Sequence, residues 1–163
     1  MICDVDGTLT DGFVYYGDGN LEIKAFSIKD GLVLKPLGLL GIEVVFLTGR
    51  ESEAVNRRAT EFGVAVIQGI RDKAAIVSNL LTERKIEPGQ CAYIGDDIND
   101  YAAMNLCGFK ACPADAAVEI RDICDYVSSY NGGHGAVRDI CEHILKQDEK
   151  YGALLAYYLN SAL

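Results

Sequence analysis

The chain has 163 residues, half of them hydrophobic, enough for one domain with a substantial core, and carries a net charge of −9. That charge excludes nucleic acid as the main partner, because phosphate backbones attract basic patches. No apolar run approaches the roughly twenty residues needed to cross a membrane, and the six cysteines, with no C-x-x-C pair, read as buried thiols of a reduced, cytoplasmic protein rather than as a zinc site.

In chain order, Ile2-Cys3 leads into "DVDG", with only three residues ahead of Asp4. A strand usually needs five or six, so the first strand is either cut short or lacks upstream residues. "FVYYGDGNLEIKAFSIKDG" alternates aromatic and polar residues around "GDGN", which predicts a β-hairpin over about 13–28. Its Phe and Tyr side chains call for a cover, either as a lid or at a subunit interface. Near-continuous β-rich runs follow at 42–50, 64–69, 91–97, 108–113 and 125–129. Between them lie helical patterns at 52–62, ending at Gly63, at 72–85, with Ala75, Ile76 and Leu80 spaced on one face, at 99–106 and at 136–146. The last of these carries Val137, Ile140, Cys141, Ile144 and Leu145 on one side. Alternating strands and helices predict an α/β fold with a doubly wound, mostly parallel sheet. Ligands of such sheets bind at the carboxyl ends of the strands, where "DVDG", "TGR" and "GDD" all fall.

Those loops carry the chemistry. Asp4 and Asp6 sit two residues apart at one strand end, and "GDDIND" adds Asp96, Asp97 and Asp100 at another. Alone, "GDDIND" fits ordinary turn and N-cap aspartates equally well. Two acid clusters at matching strand ends repel unless a cation intervenes, and Mg²⁺, held by one or two carboxylates, waters and a substrate phosphate, suits them. Thr48 and Gly49 end a third run with a hydroxyl and free N–H groups that fit a phosphate. Lys73 opens a helix, where its charge opposes the helix dipole, so a phosphate anchor explains it better than helix stability does. Arg50 suits bidentate contact with a substrate carboxylate, its competing role being an ion pair with Glu51 or Glu53.

"DVDGTLT", "LTGR", Lys73 and "GDDIND" resemble, in order and spacing, the four motifs of the haloacid dehalogenase superfamily. With the hairpin, "KDG" and "GGHGAVRDICEHIL", the chain resembles the 3-deoxy-D-manno-octulosonate 8-phosphate phosphatases, and almost equally the phosphatase-like domain of acylneuraminate cytidylyltransferases. The likeness runs to about Leu145 and leaves a tail at about 147–163 unassigned. Val33 departs from it, standing where the family has Gly, which could shift the helix after the hairpin.

The resemblance implies a single capless hydrolase domain over 1–163, with the hairpin in place of a cap. It also implies a Mg²⁺-dependent phosphatase of a small phosphorylated sugar acid, most directly 3-deoxy-D-manno-octulosonate 8-phosphate. The alternative it implies is an oligomerising or regulatory domain of an acylneuraminate cytidylyltransferase. Asp4 would be the nucleophile, and Asp6 the acid that protonates the leaving oxygen and then the base for water. Asp4, the backbone carbonyl of Asp6, and Asp96 would hold the metal. Thr48, Gly49 and Lys73 would bind the phosphate, while Asp97, Asn99 and Asp100 would orient metal, water or Lys73. Arg138, in the Gly-rich "NGGHGAVR" stretch, would face substrate or a neighbouring subunit, and relatives imply a homotetramer.

Overall fold

A computed structural model describes residues 1–19 and 21–160. Position 20, within the stretch expected to form the hairpin, and positions 161–163 of the tail lie outside the described residues.

Six parallel strands form the central sheet in the order β5-β4-β1-β6-β7-β8. They are β1 (Ile2–Cys3), β4 (Val45–Leu47), β5 (Ala65–Ile67), β6 (Ala92–Ile94), β7 (Phe109–Cys112) and β8 (Tyr126–Val127). The first strand is only two residues long. It nevertheless lies mid-sheet, with Ile2 beside Val45 on one flank and Tyr93 on the other. Successive strand residues face opposite sides of a sheet, and the core divides accordingly. Cys3, Phe46, Ile94 and Ala111 point into one apolar cluster, and Ile2, Leu47, Tyr93 and Cys112 into another.

The first cluster is covered by α1 (Ile28–Leu37), α2 (Glu53–Phe62), α6 (Ala136–Gln147) and α7 (Tyr151–Asn160). The second is covered by α3 (Lys73–Arg84), α4 (Tyr101–Met104) and α5 (Val118–Arg121). Helix α2 stops at Gly63, which adopts φ 67°, as its sequence predicts. The helix expected over 99–106 is only one turn, because residues 97–100 are spent on a turn that returns Asp100 toward the strand end. In α3 the inward positions are Lys73 and Val77, while Ala75 faces solvent. The unassigned tail supplies α7, which inserts Leu154 into the first cluster. Val33 leaves α1 undisturbed: it sits mid-helix, buried in the core. The glycine that matters there is Gly31, since a Cβ on it would come within 2.5 Å of the Phe62 ring. Among the described residues no helix is long and apolar enough to cross a membrane.

The second sheet is the expected hairpin, β2 (Tyr15–Tyr16) paired antiparallel with β3 (Glu22–Ile23). A bridge between Thr10 and Phe26 ties its base to the loop after β1. Its alternation is inverted. Glu22 and Phe26 are half-buried and Lys24 is buried, whereas Leu21, Ile23, Tyr15 and Tyr16 are exposed.

One buried acid belongs to the fold. Asp30, in α1, accepts the backbone N–H of Arg138 at 2.8 Å and so caps the start of α6 across 108 residues of chain. Its other oxygen is buried without a hydrogen-bond partner among the described residues. Burial pushes its carboxyl up to about 6, against the pull of the Arg138 N–H. A carboxyl raised in the folded state favours folding below its ordinary value, and this advantage is lost as pH rises through about 6. Asp30→Asn keeps the accepting oxygen and removes the charge. It is expected to match the parent at pH 4 and to be more stable at pH 8 by about 1–3 kcal/mol. Denaturant melts at the two pH values check this, and a variant less stable at pH 8 would contradict it.

Candidate active site

The carboxyl ends of β1, β4 and β6 deliver Asp4, Thr48 and Asp96 to one rim of the sheet. Asp4 follows β1 directly, and its N–H bonds the carbonyl of Ile94 at 2.9 Å, so the strand ladder itself fixes where the acid emerges. Asp4 is buried, and Lys73 at the first position of α3 reaches it at 2.5 Å. The same ammonium donates to Asp100 at 2.6 Å. Helix α3 does not depend on Lys73 for its start, because Asp72 caps it by accepting the N–H of Ala75.

Carboxylate oxygens of Asp4, Asp96 and Asp100 all lie within 4.8 Å of one another. Burial, then the charge of Asp100, holds the Asp4 carboxyl well above the ordinary range, against the pull of Lys73. Burial also lifts Asp96 to about 6, although the Thr8 hydroxyl, donating at 2.9 Å, works the other way. Burial lowers Lys73, but Asp4 and Asp100 together outweigh it, so its net shift is upward and it stays charged. Two buried acids, Asp4 and Asp100, share one ammonium, and with half-buried Asp96 beside them they make a net-negative, all-oxygen donor set, which fits a hard divalent cation such as Mg²⁺. Asp100 is the least free of the three. One of its oxygens takes Lys73 and the hydroxyl of Tyr93 at 2.7 Å, and the other takes the N–H of Asp96 at 3.2 Å. Asp4 and Asp96 are therefore the residues that would hold the ion, with Asp100 aiming Lys73.

The loop after β1 has a shape only glycine permits. Gly7 has φ 96°, and a Cβ there would fall 2.1 Å from an oxygen of Asp96. The Gly-rich segment before α6 closes on the same loop: Gly133 donates to the carbonyl of Thr8 at 3.1 Å, and a Cβ on Gly132 would overlap the Gly7 carbonyl. Gly7→Ala is expected to cost about 1–3 kcal/mol in stability. By displacing Asp96 it should also raise the Mg²⁺ needed for half-maximal activity roughly tenfold or more. A melt and a Mg²⁺ titration check this, and unchanged metal dependence would contradict it.

Asp6 does not join the three-acid cluster with its side chain. One oxygen is bonded by the ammonium of Lys24 and the other by the Thr48 hydroxyl at 3.2 Å. Lys24 was not among the residues singled out in the sequence. It comes from the hairpin, and the signal that marks it is the inverted alternation, with a lysine at an inward position. Thr8 and Tyr93 were likewise unmarked. Thr48 is buried, its oxygen also accepting the N–H of Arg50 at 3.2 Å, while Gly49 is exposed beside it.

The remaining candidate residues lie outside this cluster. Arg50 pairs with neither Glu51 nor Glu53. Its guanidinium bonds the Tyr16 hydroxyl at 2.9 Å and Glu22 at 3.2 Å, fastening the hairpin to the loop after β4. Asp97 and Asn99 are exposed, with Asp97 turned to the N–H of Ile98 at 2.7 Å. The turn thus directs Asp96 and Asp100 inward and the residues between them outward. Arg138 bonds Glu142 at 2.8 Å, one turn along α6. It lines a cleft of about 280 Å³ with Lys29, Tyr130 and His134. A larger cleft, about 620 Å³, lies at the amino ends of the strands beside Met1, Ile42 and Gln90, at the opposite end of the sheet from Asp4.

A model of the haloacid dehalogenase-like hydrolases matches residues 58–140. The 3-deoxy-D-manno-octulosonate 8-phosphate phosphatase of Yersinia pestis is 39% identical over 151 residues, 92% of this chain and 81% of that protein. The crystal structure of the same-named phosphatase from Moraxella catarrhalis, in complex with magnesium, phosphate and KDO, superimposes with a TM-score of 0.92. It is 40% identical, over 96% of this chain and 91% of that one. A cobalt-bound deoxy-D-mannose-octulosonate 8-phosphate phosphatase from Haemophilus influenzae gives a TM-score of 0.87 at 36% identity, covering 92% and 88%. With the motifs in order, the acids on one rim and these likenesses over most of its length, the chain belongs to the haloacid dehalogenase-like hydrolase family.

Proposed function

We propose that this protein is a Mg²⁺-dependent phosphatase that hydrolyses 3-deoxy-D-manno-octulosonate 8-phosphate by way of a phosphorylated Asp4. The observation that carries the reading is the Asp4 carboxylate, buried at a strand end, gripped by Lys73 and backed by Asp96 and Asp100. Asp4 and Asp96 would hold a Mg²⁺, with the backbone carbonyl of Asp6 as the resemblance implies, and the ion would supply positive charge to offset that of the nucleophile and the phosphate.

An oxygen of Asp4 attacks phosphorus, and the bond from phosphorus to the sugar oxygen breaks. Asp6 gives its proton to that departing oxygen. Asp6, now a carboxylate, takes a proton from the water that attacks the phosphoryl group, which frees phosphate and restores Asp4. Lys73, Thr48 and the Gly49 N–H balance the charge on the phosphoryl oxygens. Asp100 and Tyr93 keep Lys73 aimed at Asp4.

The reading includes a single capless domain over 1–163, working as a homotetramer. The outward row of Phe13, Tyr15, Tyr16, Leu21 and Ile23 on the hairpin supports this, because a surface so apolar calls for a covering partner. Six free thiols suit a cytoplasmic setting.

The test is phosphate release with and without Mg²⁺, comparing the eight-carbon acid phosphate, a nine-carbon keto-sugar acid 9-phosphate and simple phosphate esters. The expected result is Mg²⁺-dependent kcat/KM for the eight-carbon substrate at least about 100-fold above the simple esters. Preference for the nine-carbon acid or no preference would reject the eight-carbon substrate, and release from none of the three would favour the oligomerising or regulatory domain of an acylneuraminate cytidylyltransferase.

A further inference from the structure

We propose that Lys24 is a positioning residue for proton transfer: from the hairpin it clamps the carboxyl of Asp6 in the orientation needed to protonate the departing sugar oxygen. The inference rests on the reading that Asp6 carries that proton.

Lys24 is the lasting jaw of the clamp, because the single Thr48 hydroxyl proton passes to the phosphoryl oxygens when substrate binds. The ammonium of Lys24, one residue beyond β3, bonds one oxygen of Asp6, and the Thr48 hydroxyl, just beyond β4, bonds the other at 3.2 Å. The Lys24 side chain has no exposed surface. Its second acid, Glu22, stands 3.9 Å away and is itself shared with Arg50. Asp6 is thus the close partner of a fully buried cation.

Fastening the hairpin does not require such a pair. Arg50 already bonds Tyr16 and Glu22, and Thr10 bridges Phe26. A buried ion pair stabilises a fold no better than apolar side chains of similar volume. Yet this hairpin directs Lys24 inward and leaves Leu21 and Ile23 in solvent. A lysine there gains its purpose from Asp6. It holds the carboxyl plane fixed, so that the proton-bearing oxygen does not rotate away. As the proton passes to the bridging oxygen, and that oxygen keeps the electron pair of the broken P–O bond, the ammonium stands beside the carboxylate that remains.

Leaving-group dependence separates this role from a structural one. A primary alkoxide departs only with a proton, whereas nitrophenolate needs none. Because kcat/KM covers the steps up to departure of the leaving group, later hydrolysis of the phosphorylated Asp4 does not enter it. Lys24→Met is expected to lower kcat/KM for the sugar acid 8-phosphate about 100-fold, but for p-nitrophenyl phosphate by no more than about threefold. Lys24→Arg, which retains the charge, should recover part of the loss on the sugar phosphate, and thermal melts of both variants report their folding. Equal losses on the two esters in a folded variant, or no loss on either, would overturn the proposal. If Lys24→Met does not fold, the same comparison is made with Lys24→Arg, where a selective loss on the sugar phosphate supports the clamp and an even one rejects it. A parent enzyme that hydrolyses neither ester with Mg²⁺ present would overturn the phosphatase reading itself.

Discussion

Asp4→Asn is expected to abolish phosphatase activity, lowering kcat on the order of 10⁴-fold or more, while the protein folds as before. Asparagine keeps the shape and one oxygen to accept the Lys73 ammonium, which now stands 2.5 Å from the acid. It lacks the charge that attacks phosphorus. It also removes one of three carboxylates crowded within 4.8 Å, so the melting temperature should be unchanged or higher. Phosphate release and a thermal melt on the same preparation check both halves. Retained turnover would reject Asp4 as the nucleophile, and a large drop in melting temperature would reject the picture of crowded charge.

Lys73→Met should produce the opposite pattern in stability. Its ammonium is the partner of both Asp4 and Asp100, and all three side chains are almost wholly buried. Removing the cation leaves buried acids uncompensated, at a cost of about 3–5 kcal/mol. Activity should fall at least about 100-fold, because a charge opposing the phosphoryl oxygens is lost with it. Millimolar Mg²⁺ should restore part of the stability without restoring activity, since a metal can neutralise the acids but cannot take the lysine's position. Urea titrations with and without Mg²⁺ make the measurement. A variant as stable as the parent in the absence of metal would contradict it.

Much of this arrangement is readable because where a strand ends and its loop begins is a local matter. A β-branched run followed by a polar loop places its first loop residue at a strand end, and this located Asp4, Thr48 and Asp96 without knowledge of their distances. Direction within a loop is not local. In the turn over 97–100, neighbouring residues point opposite ways, so Asp97 and Asn99 went outward while Asp100 returned to Lys73 and Tyr93. Arg50 reads from the sequence as a partner for a substrate carboxylate or for Glu51 or Glu53, and of its protein partners the folded hairpin brings Tyr16 and Glu22 closer. Lys24 escaped notice for the same reason, being 18 residues from Asp6 and joined to it only once the hairpin lies over the rim. Asp30 shows the limit most plainly, because its partner N–H is 108 residues away. The tail carried no recognisable motif, yet Leu154 is enough to seat a helix on the core.

The proposed reaction requires Asp4 to become phosphorylated at the rim it shares with Asp96 and Lys73. Acid-quenching the enzyme during turnover of a ³²P-labelled sugar acid phosphate with Mg²⁺, then mapping the labelled peptide, tests this most directly. The expected result is acid-stable, base-labile label on the peptide bearing Asp4, absent when Mg²⁺ is withheld. Label on another residue, or turnover with no labelled protein at any time after mixing, would contradict it.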